Sequence, residues 1–393
     1  MTAAADAHRI RRLGVDDVDA YCALREHSFG YPDDDATRTV FAGRMPSMLG
    51  AFDAAGSLVA SASGHRLETF VAGDRRGLLG VAAVQTAPSA RRRGVARRLM
   101  THLLGDARDD GVGWSMLYPF DPRFYERLGW QSLPTGVRLR LPTSALGPPA
   151  RTDATALTGP LRPALQPIYE RCAPLWNFTN ARTTGPWDAW EELQPERGRR
   201  TVAFALPDAY AVHRLRADDA ATTTLEVHDA LWCSAAGREA LLSLLRSYQG
   251  QAEMVELEVP RDDALAWAWA DWHATATHAT RMVRVVDVAA ALAGLPLPPD
   301  AAPVRVRVHD VLAPWNAGTW RLSARDARCA VTRVTGGADA RVDVRAVTLL
   351  VSGAATPAAV ERAGMVRGDA RALRTLASLS AGLTPYHALS DRF

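Results

Sequence analysis

From Val81 to Tyr118 the chain runs through a short apolar stretch, a turn containing Arg91-Arg92-Arg93-Gly94, a long amphipathic stretch and a second apolar run, Trp114 to Tyr118. A buried run, a turn, a helix-length amphipathic stretch and a second apolar run in this order predict a strand, helix, strand unit. The helix is expected from about Val95 to Arg108: Val95, Leu99, Leu103 and Leu104 recur at helical spacing, while Arg97, Arg98, Asp106 and Arg108 fall mostly on the other face. Gly111 and Gly113 stop it. Three arginines ahead of a helix oppose the positive end of its dipole, by about 0.3–1 kcal/mol each when exposed, so a cluster there makes sense if an anion occupies the turn. Gly94 lets the backbone turn with its N–H groups inward, and those donors together with the arginines form a cradle suited to a pyrophosphate. The competing reading is a solvated basic loop; the buried strand before the turn and the amphipathic helix after it favour the cradle.

Around this unit the chain divides into three. Asp16 to His27 reads as a first helix, and Met48 to Leu67 as a hairpin turning at Asp53-Ala-Ala-Gly56. Asp121-Pro122 starts a short helix bearing Tyr125, and Val137 to Leu141 alternates apolar and basic residues like an edge strand, closing an α/β domain at residues 1–143. Pro142 to Arg151 is a linker. Residues 144–283 repeat the plan: a helix at Leu161 to Leu175, strands at Thr201 to Leu206 and Ala209 to Leu215, an amphipathic helix at Gly237 to Tyr248 and a strand at Met254 to Val259. The turn before that helix, Cys233-Ser-Ala-Ala-Gly237-Arg238, lacks the arginine cluster, which makes the repeat a degenerate copy. Residues 284–393 alternate sharply through VRVRV, TWRLSA, CAVTRV and ARVDVRAVTLLV, which predicts an antiparallel sheet with one wet face. Helices at Pro357 to Ala363 and Asp369 to Ser380 make this last domain α+β.

Bulk properties narrow the partners. At 393 residues two or three domains are expected. The net charge of +3 is too small to argue for nucleic acid, and no stacking aromatics line the arginine run. No apolar leader and no run of eighteen apolar residues occur, so a cytoplasmic protein without a membrane partner is expected. Cys22, Cys172, Cys233 and Cys329 show no CxxC spacing and read as reduced thiols. His273 and His278 lie five apart, missing the helical metal-ligand spacing of four, so no metal is expected. Trp267, Trp269 and Trp272 read as packing or interface residues and not as a cofactor cage, and Asp33, Asp34 and Asp35 as a helix start that could also attract a cationic amine.

The pattern Arg91-x-x-Gly94-x-Ala96, following an apolar strand, resembles the acyl-CoA pyrophosphate signature of GCN5-related N-acetyltransferases (GNAT), and Phe124-Tyr-Glu-Arg-Leu-Gly-Trp130 resembles the end of the same domain. The length, the arginine-poor second copy, the MVRVVDV passage at Met282 to Val288, the alternating sheet and the terminal phenylalanine together resemble the Eis (enhanced intracellular survival) group. That resemblance covers essentially the whole chain. It implies tandem GNAT domains followed by a sterol-carrier-protein-like α+β domain, acetyl-CoA as acyl donor, a primary amine of a small molecule or a lysine as acceptor, and a ring-like hexamer.

Carried over residue by residue, the resemblance gives Val84, Gln85 and Thr86 as strand backbone for the pantetheine arm and Arg92, Arg93, Gly94, Val95, Ala96 and Arg97 as the pyrophosphate cradle. Phe120 and Asp121 would flank the acyl end, Tyr125 would be the general acid, and the carboxylate of Phe393 the general base. The chemistry suits these types: a neutral amine must attack the thioester and the thiolate must be protonated, which needs a base and an acid on opposite sides of the reacting carbon. Without the resemblance Tyr125 reads as a core aromatic and Phe393 as a frayed end. The chain departs from the group at Arg392, where mycobacterial members are acidic, with Asp391 one residue earlier, so the acceptor is left open. The rival from another class is a non-catalytic CoA-sensing or lipid-binding module, which would bind CoA without turning over any amine.

Overall fold

The amphipathic stretch folds into the expected helix, with Val95, Leu99, Leu103 and Leu104 buried. The structure, a computed structural model, describes residues 8–30, 32–148, 150–182, 201–218, 222–267 and 274–393. Its first part runs β1 (Arg9–Arg12), α1 (Val18–Phe29), α2 (Asp35–Arg44), β2 (Met48–Phe52), β3 (Leu58–Val71), β4 (Asp74–Thr86), α3 (Val95–Asp109), β5 (Trp114–Leu117), α4 (Pro122–Glu126) and β6 (Gln131–Pro142). Strands β1 to β4 form an antiparallel meander, and β5 joins β4 in parallel, as a crossover helix requires. The second part runs β7 (Thr155–Ala156), α5 (Leu161–Cys172), β8 (Val202–Leu206), β9 (Ala209–Ala217), β10 (Thr223–Trp232), α6 (Ala235–Arg246), β11 (Met254–Val259) and β12 (Thr275–Val285). It repeats the plan, with β11 parallel to β10 after the helix.

The two units exchange their last strands. Strand β12 of the second pairs with β5 of the first, β6 of the first pairs with β11 of the second, and β12 and β6 pair with each other. Among the described residues this joins twelve strands into one sheet. Strand β6 is therefore interior and not the edge strand that its alternation predicts. An edge is one way to keep basic residues wet; the fold uses another, setting Arg138 against Glu256 and Arg140 against Asp218 at 2.8 Å.

The third part runs α7 (Val288–Leu292), β13 (Val304–His309), β14 (Gly318–Arg325), β15 (Arg328–Val334), β16 (Ala340–Asp343), α8 (Val344–Val351), α9 (Pro357–Arg362), β17 (Val366–Gly368) and α10 (Ala370–Ser378). Its sheet, in the order β15-β14-β13-β16-β17, is mixed where an antiparallel one is predicted. The β14–β15 hairpin occupies one side of β13, so the chain returns on the other and β16 runs parallel to it. The ARVDVRAVTLLV passage also differs from the reading as a single strand. Asp343 accepts a hydrogen bond from the Arg345 backbone N–H at 2.9 Å and starts a helix, and Val344, Val347 and Val351 then fall on one buried face.

The first sheet is covered on both faces. Helix α3 packs on one, against Leu79, Val81 and Leu117. On the other, Leu78, Trp114, Met116, Val283 and Val285 share one core with Val304, Val347, Leu350 and Leu376 of the third part. Asn177, fully buried, ties the parts together: its Oδ1 accepts from Ala72 N at 2.6 Å, and its Nδ2 donates to the carbonyls of Ser352 and Leu383 at 3.0 Å and Ser380 at 3.3 Å. Among the described residues no helix is long and apolar enough to cross a membrane.

Candidate active site

A bulge in β4 opens the site. Ser61 of β3 pairs with Gln85 and Ser63 with Ala82, so β4 carries one residue more than its partner, and Ala83 absorbs it at a φ of 48°. On the other side β4 pairs with β5 only from Leu78 to Val81, because β5 ends at Leu117 and Tyr118-Pro119 leads the chain away. Beyond Val81 the two parallel strands are splayed, with Val84, Gln85 and Thr86 on the free side. The bulge is a feature that sequence reasoning misses: Val81-Ala-Ala-Val-Gln reads as an unbroken strand.

The turn that follows has a conformation suited to anions. Arg92 takes φ 60° and Gly94 φ 75°, so left-handed residues alternate with ordinary ones, and no side chain caps the first turn of α3. Its leading N–H groups therefore face outward unclaimed by any cap. Between the splayed strands, this turn and α4 lies a cleft of about 930 Å³. Ten of the eleven residues named above for the acyl donor line it: Val84, Gln85, Thr86, Arg92, Gly94, Val95, Ala96, Arg97, Phe120 and Asp121. Arg93 does not; its guanidinium donates to the Ser89 carbonyl at 3.5 Å. The Gln85 side chain turns into the sheet to reach Ser61 Oγ at 2.8 Å, leaving only its backbone to the cleft. Asp121 accepts from Arg123 N at 3.0 Å and caps α4. The cleft adds Phe29, Phe124 and Arg127, which sequence spacing gives no reason to select.

Tyr125 lies behind this wall. It is buried, and its ring meets Phe120 at 5.5 Å, Phe124 at 4.9 Å and Trp130 at 6.3 Å between centroids. Burial, with a smaller contribution from the Asp121 charge, pushes its hydroxyl pKa well above the usual tyrosine value. Tyr125 thus holds its proton throughout the neutral range.

Phe393 reaches the same strand from the far end of the chain. A β-carbon at Gly80 of β4 would sit 2.7 Å from Phe393 Cε2, so only glycine admits the ring there. His65, paired with Gly80 across the ladder, Tyr118 and His387 stand around the ring at 6.1, 5.2 and 6.5 Å between centroids. Gly80 lies about 10 Å along the strand from the bulge at Ala83. It faces away from α3, whereas Tyr125 belongs to the core on the α3 side.

The residues before Phe393 differ in their surroundings from what charge alone predicts. Arg392 is exposed and its guanidinium stands 5.4 Å from the Tyr118 ring. Asp391 is buried, accepting from Arg182 Nε at 2.6 Å. Arg182 also binds Asp229 at 2.7 Å, and Ser390 Oγ donates to Asp229 at 3.0 Å. His387 donates from Nδ1 to the Phe178 carbonyl at 3.0 Å and accepts at Nε2 from the Tyr118 hydroxyl at 2.7 Å. None of these pairings has a local signal, since Tyr118 and His387 are 269 residues apart.

The second unit repeats the plan of the first without an open turn. Ser234 caps α6 by accepting from Gly237 N at 2.9 Å, which takes a donor of the kind that α3 leaves open. Its β10 also bulges, at His228, and pairs with β11 only from Thr224 to Glu226. Leu389 and Ser390 of the chain's own end lie at that splay, beside Glu226 and Glu258. The acidic triplet serves helix starts: Asp34 accepts from Thr37 N at 2.8 Å to cap α2, and Asp33 pairs with Arg25. Trp267 is exposed, while Trp269, Trp272 and His273 lie outside the described residues.

An acetyltransferase (GNAT) domain model matches residues 9–133, a second such model residues 179–285, and a sterol carrier protein domain model residues 288–388. An N-acetyltransferase of Streptomyces coelicolor is 30% identical over 310 residues, which cover 73% of this chain and 74% of the relative. Among solved structures, a GCN5-related N-acetyltransferase from Anabaena variabilis is similar at a TM-score of 0.86 with 19% identity, covering 98% of this chain and 100% of that one. Eis1 from Mycobacterium abscessus is similar at a TM-score of 0.79 with 24% identity, again covering 98% and 100%. The chain thus belongs to the GCN5-related N-acetyltransferases, acetyl-CoA-dependent enzymes, with an Eis-like fold of two GNAT domains and a sterol-carrier-like domain.

Proposed function

We propose that this enzyme transfers the acetyl group of acetyl-CoA directly to a primary amine, on a small molecule or a lysine, with Tyr125 as general acid and the Phe393 carboxylate as general base. The observation that carries the reading is the seat of Phe393 on Gly80, which brings the chain terminus onto the strand whose bulged end lines the cleft. The amine nitrogen bonds to the thioester carbon and the carbon–sulfur bond breaks. The proton lost by the amine passes to the Phe393 carboxylate, and the Tyr125 hydroxyl protonates the departing thiolate. Tyr125 packs in the core on the α3 face of the sheet and Phe393 against the core on the other face, so the two groups approach the splay between β4 and β5 from different sides. The raised pKa of Tyr125 suits a proton donor, not a nucleophile.

For the donor, Arg92, Gly94, Val95, Ala96 and Arg97 hold the pyrophosphate and the backbone of Val84 to Thr86 meets the pantetheine arm, while Arg93 is placed to act at most through the shape of the turn. Asp391 is engaged by Arg182, so an amine's positive charge is met elsewhere in the cleft. The resemblance to the Eis group extends the proposal to a hexamer, which mass photometry reads directly.

The test is thiol release from acetyl-CoA across a panel of amines. Tyr125→Phe lowers kcat by about 10²–10⁴-fold with little change in the KM for acetyl-CoA. Two residues added after Phe393 move the carboxylate and lower kcat on a similar scale. Full turnover in either protein removes that group from its role.

A further inference from the structure

The outer face of the third domain's sheet carries a charge arrangement that works against its own fold. In the strand register Arg307 of β13 stands beside Arg341 of β16, and Arg341 beside Arg367 of β17. Arg305 stands opposite Arg321 of β14. All five are exposed, and among the described residues none of their guanidinium groups makes an ion pair or a hydrogen bond. Strands are spaced about 4.8 Å apart, and like charges directly opposite destabilise a sheet. An anion passing over the face relieves that repulsion.

The row is continuous with the cleft of the first domain. Arg127 stands in the wall of that cleft and also in the wall of an adjoining depression of about 390 Å³, which Arg123 and His309 line as well. His309 in turn stands in a third depression, about 480 Å³, whose walls include Arg307, Arg341 and Arg367. The acidic residues along this line are few: Glu126, and Asp343, which Arg345 holds at 2.9 Å. The third domain also abuts the cradle itself, since Arg97 donates to the Val311 carbonyl at 2.6 Å.

Resting on the first cleft being the donor site, we propose that this line of arginines is an approach track for the acyl donor, drawing its phosphates from the sheet face of the third domain past His309 and Arg127 to the cradle. The third domain then serves the reaction through electrostatic capture of the nucleotide half of acetyl-CoA, in addition to placing the chain terminus. Fields of this kind raise association rates by roughly 10–10³-fold and weaken steeply with ionic strength. The track predicts a donor preference: phosphate-bearing thioesters gain from it and phosphate-free ones do not.

The experiment uses the full-length enzyme and a triple variant, Arg307→Gln, Arg341→Gln and Arg367→Gln, at exposed positions where the substitution removes repulsion instead of a contact. The rate constant kcat/KM is measured for acetyl-CoA and for S-acetyl-N-acetylcysteamine, which has no phosphate, from low salt to about 0.5 M, where screening is nearly complete. For acetyl-CoA the wild type loses kcat/KM as salt rises, and the variant starts about tenfold lower with a flatter salt dependence. For the phosphate-free thioester the two proteins agree at every salt concentration. A variant with the wild-type salt slope and kcat/KM overturns the track. So does an equal loss with both donors, which would mark a structural defect. If Arg92→Glu in the cradle leaves kcat/KM for acetyl-CoA unchanged, the reading of the cleft fails, and the track fails with it.

Discussion

Arg182 Nε donates to Asp391 Oδ1 at 2.6 Å, with both side chains almost wholly buried, two residues before the end of the chain. The same guanidinium binds Asp229, so one cation of the second GNAT domain fixes the last strandless stretch of the protein. Replacing Asp391 by Asn keeps the shape, and Arg182 keeps its pairing with Asp229. The tail then loosens: carboxypeptidase releases Phe393 faster than from the wild type, and kcat falls on the order of 10²-fold, the scale of a 1 Å misplacement of a catalytic group. Arg182→Met is harsher, leaving two buried carboxylates without their cation, and costs about 3–5 kcal/mol in urea unfolding. A tail equally protected in wild type and Asp391→Asn would show that other contacts hold it.

Gly80→Ala places a methyl group against the terminal ring and against Leu67 Cδ1, 2.8 Å away. Small-to-large changes in packed regions cost about 1–3 kcal/mol. Here the ring belongs to the chain end and moves more readily than the strand. Activity should therefore fall further than stability, with kcat reduced and the KM for acetyl-CoA nearly constant. Steady-state kinetics beside a thermal melt checks this; a wild-type kcat would separate the ring's seat from catalysis.

Stability should fall toward acid. Burial, with the Arg281 charge adding, pushes the His387 pKa down to about 3, and burial with His228 takes His213 to about 4, from an ordinary value near 6.5. Below that value the unfolded chain binds protons that the folded protein refuses. The stability is complete above about pH 6.5 and is lost progressively as the pH falls toward the folded values. Urea unfolding at neutral pH and near pH 5 reads the slope, and His387→Gln should flatten it. An unchanged slope in that variant assigns the effect to other groups.

Asn177→Ala strips a backbone N–H and three carbonyls of their buried partner at once. A loss of about 2–4 kcal/mol is expected. Asn177→Asp is worse, because a carboxylate then faces three carbonyl oxygens. Denaturation midpoints for the pair give the ranking directly, and a loss from alanine of well under 1 kcal/mol would mean that solvent replaces the hub.

Much of the first domain was legible because its signals are local. Helical spacing in Val95, Leu99, Leu103 and Leu104, a glycine where φ turns positive, and a proline one residue after an N-cap aspartate each depend on a few neighbours. Local alternation misled where two structures share it. The run Arg341-Val-Asp-Val-Arg-Ala-Val alternates like a strand, yet Asp343 caps a helix in its midst and the spacing of Val344, Val347 and Val351 takes over. Strand β6 alternates like an edge, but charge pairing with β11 and its neighbours lets it lie inside.

The sequence by itself determined the strand-turn-helix unit with its arginine turn, the arginine-poor second copy, and the order of three domains, since each follows from residue types within a turn or two. Only the tertiary structure decided which strands are exchanged between the GNAT units, where β4 bulges, and that Gly80, Tyr118, His387 and Phe393 meet. Strand pairing is chosen by long-range fit among segments whose local patterns are nearly interchangeable. A chain terminus carries no local signal of its seat, and that seat was fixed by a buried arginine more than two hundred residues upstream.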